Sequence, residues 1–148
     1  CFDVTSEVLK EVFAELNNQK VALNGIVLKP NMVISGMDAA NRADIPTVAS
    51  ATVKCLSENV PDEVPGIAFL SGGQTSEEAT GHLNAMNEMG PHPWQLTFSY
   101  GRALQAEPLN AWSGEDENIP AAQESFIKRS RLNSLARTGN YHPQMEEA

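Results

Sequence analysis

Three short stretches hold the residue types that can do chemistry. Lys29 closes the apolar run Gly25-Ile26-Val27-Leu28 and stands directly before Pro30. A short, β-branched run bounded by Gly and Pro reads as a buried strand. A lysine at its end lies at the mouth of a core, where desolvation disfavours the ammonium and leaves a nucleophilic amine. The plain alternative is a lysine that snorkels to solvent. The second stretch is Ser71-Gly72-Gly73, between an apolar strand and a capped helix. Its glycines allow close backbone approach, so that several N–H groups can converge on an anion. The third holds Ser99, Gly101 and Arg102. Arg102 brings a permanent planar donor fork suited to phosphate oxygens, Ser99 a short hydroxyl, and Gly101 an uncrowded approach. Taken singly, Ser-Gly-Gly is an ordinary turn and the arginine an ordinary surface residue. Together, an amine and a phosphate cradle suggest Schiff-base chemistry on a phosphorylated carbonyl compound. The iminium would act as electron sink while a C–C bond breaks or forms.

These residues need a scaffold, and the apolar periodicity supplies one. In an opening helix Val8, Val12 and Leu16 recur at helical spacing with Leu9 and Phe13 beside them, and Asp3 or Thr5 can cap it. A second helix starts near Pro46, with Ala49, Val53 and Leu56 as its stripe. Ile67-Ala68-Phe69-Leu70 is the second strand, and Thr75 with Glu78 has capping-box spacing for the third helix. On that helix His82 shares a face with Ala79, Leu83 and Met86 and reads as a packed structural histidine. Trp94 to Phe98 forms the third strand. Helical stretches follow through Leu104 and Trp112, then from about Asn118 to Ala136, and residues 142–148 read as a loose tail. Strands alternating with amphipathic helices imply parallel β/α units. Three such strands leave two bare edges, and their apolar character predicts cover on both faces. The chain therefore looks like part of a larger sheet or barrel.

Composition sets the outer limits. The chain has 148 residues, 41% hydrophobic and 20% charged, with a net charge of −9. That range is typical of a soluble globular protein and speaks against nucleic-acid and anionic-membrane partners. Lys128, Arg129 and Arg131 read as a solvated basic cluster. Cys1 and Cys55 lack metal-ligand spacing and are too few for a disulfide framework, so both read as reduced thiols, and the expected location is the cytoplasm. No apolar stretch is long enough to span a bilayer. The opening residue is Cys rather than Met, which suggests a fragment, or a processed or incompletely determined chain.

Leu28-Lys29-Pro30-Asn31-Met32-Val33, Phe69 to Gln74 and Phe98 to Gln105 closely resemble class I fructose-1,6-bisphosphate aldolases. The resemblance runs from residue 1 to about Tyr141. It implies an α/β fold: the C-terminal part of a TIM (β/α)8 barrel, comprising strands six to eight preceded by a helix. It further implies that Lys29 is the Schiff-base lysine. Ser71, Gly72, Gly73, Ser99, Gly101 and Arg102 would hold a substrate phosphate. Implied too are reversible cleavage of fructose 1,6-bisphosphate to dihydroxyacetone phosphate and glyceraldehyde 3-phosphate, no metal cofactor, and a tetramer. The family's acid/base carboxylates lie in its N-terminal half, and nothing in this stretch matches them. The partners expected are thus a phosphorylated sugar and the other barrel half. The rival expectation is a non-catalytic half-barrel that binds phosphate, or assembles with itself, without turnover.

Overall fold

The structure, a computed structural model, describes residues 1–147. Five helices and three strands alternate: α1 (Phe2–Asn18), β1 (Val27–Leu28), α2 (Ile45–Asn59), β2 (Gly66–Phe69), α3 (Ser76–Glu88), β3 (Gln95–Phe98), α4 (Arg102–Trp112) and α5 (Ile119–Ala136). The strands form one parallel sheet in the order β1-β2-β3. Val27, Gly66 and Gln95 lie abreast, and Ala68 pairs with Thr97.

Consecutive parallel strands joined by right-handed crossovers throw their helices onto the same side. That explains why one sheet face, with Ile67, Phe69 and Leu96, is buried against α2 and α3 while the other is open. On the open face Val27 is 64% exposed. The expectation of cover on both faces thus holds for one. The core beneath the sheet is closed by Val48, Leu56, Leu83 and Met86.

Local chemistry fixes the helix ends. Asp44 accepts from the Thr47 amide at 3.0 Å and starts α2, with Pro46 in its first turn. The capping box of α3 is present in full: Thr75 Oγ1 accepts from the Glu78 amide and the Glu78 carboxylate accepts from the Thr75 amide. α1 departs from expectation. It begins at Phe2, two residues earlier than a cap at Asp3 and four earlier than a cap at Thr5 would start it, with the Thr5 amide donating to the Cys1 carbonyl at 2.9 Å. Of its two apolar rows, Leu9 and Phe13 face the core, while Val4, Val8 and Val12 are exposed. A second exposed apolar surface lies between α4 and α5, where Leu109, Trp112, Phe126 and Ile127 line an open groove of about 580 Å³.

The C-terminal region differs most from the sequence reading. Arg129 is not solvated but 1% exposed. Its guanidinium donates to both carboxylate oxygens of Glu146 and, at 3.1 Å, to Thr80 Oγ1. The Tyr141 hydroxyl donates to the same carboxylate at 2.9 Å. Where the sequence reads as a loose tail, Pro143–Glu147 is a 3-10 helix carried against α5 by this pair. A cation taken out of water is tolerated only when a carboxylate goes with it. Glu146, seventeen residues on, is that carboxylate.

Candidate active site at the carboxyl edge of the sheet

All the residues singled out above lie at or just beyond the carboxyl ends of the strands. In parallel β/α folds this is the edge on which sites are built. Leu28 pairs with Ile67, and the Leu70 amide donates to the Pro30 carbonyl at 3.0 Å, so Lys29 stands opposite Ala68. The Ser99 amide donates to the Phe69 carbonyl at 2.8 Å, which sets Ser99 opposite Leu70. Lys29 and Ser99 therefore share the open face, one pleat and two strands apart. At standard strand spacings their Cα atoms are roughly 12 Å from each other.

The structure does not supply the desolvation expected at Lys29. Its side chain is exposed, because nothing stands over the open sheet face at this point. It lines a cleft of about 280 Å³ with Val4, Val8, Leu28, Asn31 and Leu70, and that cleft does not reach the glycine turn or Arg102. The lysine and the phosphate-type groups are set on one edge but not enclosed together.

The two turns are built differently. Gly72 and Gly73 have φ of 55° and 83°, the left-handed region that side chains resist. Ser71 is buried, with its carbonyl turned toward the core, while Gly72 is exposed. Among the described residues no backbone carbonyl accepts from the amides of Ser71, Gly72, Gly73 or Gly101. Four donors are thus left over at one edge, which is what an anion site requires. α4 begins at Gly101 with no side-chain cap, in contrast to the fully capped α3. Its positive end is open beside Arg102. Ser99, Gly101 and Arg102 are exposed, and a side chain at Gly101 would meet no atom within 4 Å. Among the described residues neither Lys29 nor Arg102 pairs with a carboxylate. In a chain of charge −9 these are cations held free.

Both turns are anchored on α3. The Tyr100 hydroxyl, in the middle of the second turn, donates to the Ala79 carbonyl at 2.8 Å. Burial pushes its ionisation far above the usual tyrosine range, so it is a fixed donor. Gln74, after the first turn, is held by His82. His82 is packed, as its face predicts, and burial lowers its pKa. Glu78 acts to raise that pKa, and Arg42 to lower it. Sequence reasoning gave Gln74 and Tyr100 no role. The available signal was a polar or aromatic residue inside a glycine-bearing strand end, a place where side chains point inward to brace the turn. Among the described residues no group of three or more His, Cys, Asp and Glu side chains could hold a metal ion, and no helix is long and apolar enough to cross a membrane.

A three-stranded parallel sheet with helices between its strands, and with unpaired amides and an uncapped helix start at its carboxyl edge, places the chain in the class of parallel α/β proteins. Within that class the chain belongs to the class-I fructose-bisphosphate aldolase family, whose model matches residues 1–148. It is 54% identical over 142 residues to fructose-bisphosphate aldolase B of Gallus gallus, covering 95% of this chain and 39% of that one. It is 49% identical over 141 residues to a fructose-bisphosphate aldolase of Plasmodium falciparum (isolate K1 / Thailand), covering 95% and 39%. A Plasmodium falciparum aldolase solved in complex with TRAP and a small-molecule inhibitor superposes with a TM-score of 0.93 at 48% identity. That match covers 96% of this chain and 41% of the other. The chain spans about two fifths of the length of the relatives it matches.

Proposed function

We propose that this chain forms strands six to eight of a class I fructose-bisphosphate aldolase barrel and carries the imine-forming lysine and one phosphate site of that enzyme. The observation that carries the reading is the common edge. Lys29, the Ser71-Gly72-Gly73 turn and the Ser99 to Arg102 turn follow three adjacent strands in register. The two exposed apolar surfaces support it as well: one lies on α1 beside β1, and the other lies between α4 and α5, the helices after β3. These are the ends at which further β/α units would continue the sheet into a barrel. That cover would also desolvate Lys29.

The chemistry follows from the residues. The Lys29 amine attacks the C2 carbonyl of fructose 1,6-bisphosphate, and loss of water leaves an iminium. Breaking the C3–C4 bond sends its electron pair into that iminium and releases glyceraldehyde 3-phosphate. Protonation of the resulting enamine and hydrolysis return dihydroxyacetone phosphate and the free amine. Arg102, Ser99 and the amides of Ser71, Gly72, Gly73 and Gly101 hold a phosphate so that the carbonyl carbon stays within reach of Nζ. The proton transfers belong to carboxylates on the other part of the barrel. The whole protein would act in glycolysis and gluconeogenesis, in the cytoplasm, as a tetramer.

The open face at Lys29 favours a second reading for the chain by itself, phosphate binding without turnover. Borohydride trapping with dihydroxyacetone phosphate, followed by peptide mass mapping, separates the two. A reduced adduct on Lys29, lost in Lys29→Arg, supports the imine role. A folded protein that binds inorganic phosphate but traps nothing supports the second reading. Turnover that survives Lys29→Arg would refute the Schiff-base assignment.

A further inference from the structure

The first turn is braced by two buried side chains that the proposed mechanism does not use. Gln74 is 5% exposed and His82 4% exposed. Gln74 Nε2 donates to the Ser71 carbonyl at 2.7 Å, and the Gln74 amide donates to the same oxygen at 3.0 Å. Gln74 Oε1 lies 2.5 Å from His82 Nδ1.

The donor logic leaves no freedom. A backbone carbonyl only accepts, so the Gln74 NH₂ must face Ser71. Its Oε1 must then face His82, and Nδ1 must carry the ring proton. The Ser71 carbonyl is thereby drawn toward the buried side by two donors. The peptide from Ser71 to Gly72 is trans, the cis bond among the described residues being at Gly90-Pro91. In a planar trans peptide the C=O and N–H point in opposite directions. Pulling the carbonyl inward therefore aims the Gly72 N–H outward, to the open edge where it has no acceptor among the described residues.

We propose that Gln74 and His82 are positioning residues that aim the Gly72 amide at the substrate phosphate. The inference rests on the phosphate reading of this edge and adds a requirement to it: a buried hydrogen-bond relay running from α3 to the turn. His82 sets the Gln74 rotamer, Gln74 sets the Ser71 peptide plane, and the plane sets the donor. Since both the neutral Nδ1–H tautomer and the imidazolium carry a proton on Nδ1, the relay persists in either state. It is a fixed brace.

The test uses the ¹⁵N-labelled 148-residue chain titrated with inorganic phosphate, followed at the Gly72 amide. His82→Leu removes the donor to Gln74. His82→Asn keeps one, because Asn Nδ2 hangs from Cγ as His Nδ1 does. Losing one buried orienting hydrogen bond is expected to weaken phosphate binding about 3- to 10-fold in His82→Leu, with His82→Asn within about twofold of the unsubstituted protein. Rescue by Asn is a result that a simple packing role would not give, since Asn fills the site no better than Leu. In the unsubstituted protein, ring ¹⁵N shifts should report the Nδ1–H tautomer, a measurement that needs no variant to fold. Arg102→Ala serves as the control. If it weakens phosphate while His82→Leu does not, the phosphate site stands and the relay is wrong. If neither changes affinity, the site reading falls and the relay with it. An Nε2–H tautomer would also overturn the relay.

Discussion

Arg129→Leu is the sharpest probe of how the C-terminal segment is held. The guanidinium is 1% exposed and Glu146 is 14% exposed, so both charges have largely left water. Removing only the cation strands the Glu146 carboxylate with the Tyr141 hydroxyl as its side-chain donor. Breaking one side of such a buried pair costs about 3–5 kcal/mol, most of it from the charge left behind. Glu107, the other carboxylate near Arg129, is 43% exposed at 3.4 Å and adds little. For a chain of this size the loss corresponds to a fall in Tm of roughly 6–20 °C. The expected counterpart is Arg129→Leu combined with Glu146→Leu. It removes both charges and should recover all but about 1–2 kcal/mol. Glu146→Leu should therefore stabilise the Arg129→Leu protein by roughly 2–3 kcal/mol while destabilising the unsubstituted one, and the coupling between the two sites is the difference between those two effects. Urea unfolding monitored at Trp94 and Trp112, with common slopes across the four proteins, gives the cycle. A loss under about 1 kcal/mol in the single variant, or additivity in the double, would refute the argument that a stranded buried charge sets the cost.

Other expectations follow from the same geometry. Arg102→Ala removes a charge-assisted donor worth roughly 1.5–3 kcal/mol, so inorganic phosphate should bind about 10- to 100-fold more weakly. Isothermal titration at fixed ionic strength would measure it, and unchanged affinity would remove Arg102 from the site. Gly73→Ala forces a side chain to φ 83°, with its Cβ 3.2 Å from Met37 Sδ. It should destabilise the chain by about 1–2 kcal/mol in chemical unfolding. His82 gives a pH dependence. Burial lowers its folded-state pKa below the ordinary 6.5, so the unfolded chain binds the extra proton first as pH falls. Its contribution to stability is full above pH 6.5 and declines as pH drops below that value. His82→Asn should flatten the stability profile in that window. The hydrogen-bonded carboxylates Glu15 and Asp44, whose pKa values are lowered from 4.5 and 3.8, act only at more acid pH.

What was legible in the sequence was local or repeated. The capping box at Thr75 and Glu78, the start of a helix at Pro46 and the strand ends at Lys29, Ser71 and Ser99 each depend on a few adjacent residues. Their spacing carries the β/α alternation and, with it, the edge on which the candidate site lies. The misreadings share one cause: each depends on what stands opposite in space. Val4, Val8 and Val12 have the period of a buried stripe as much as Leu9 and Phe13 do, but only the second row meets α2. Lys29 is followed by Pro30, which is buried, yet its own side chain falls on the uncovered face. Arg129 looks like its neighbours Lys128 and Arg131 until Glu146 folds back on it, a pairing of seventeen residues' separation that no periodicity encodes.

This division between local and distant causes separates two properties of the site. The proposed phosphate cradle is self-contained: its left-handed glycines, its inward carbonyl and both of its anchors on α3 come from this chain. The lysine is not. Its strand position is set here, but in the proposed role the low-dielectric surroundings that make an amine nucleophilic would come from cover on the open face. On the proposed assignments, phosphate affinity and imine formation should therefore be independent readouts. Adding the complementary barrel segments in trans should raise the yield of the borohydride adduct at Lys29 far more than it raises affinity for inorganic phosphate. A parallel rise in both would mean that the cradle, too, is shaped by the covering units, and the self-contained account of its hydrogen bonds would be wrong.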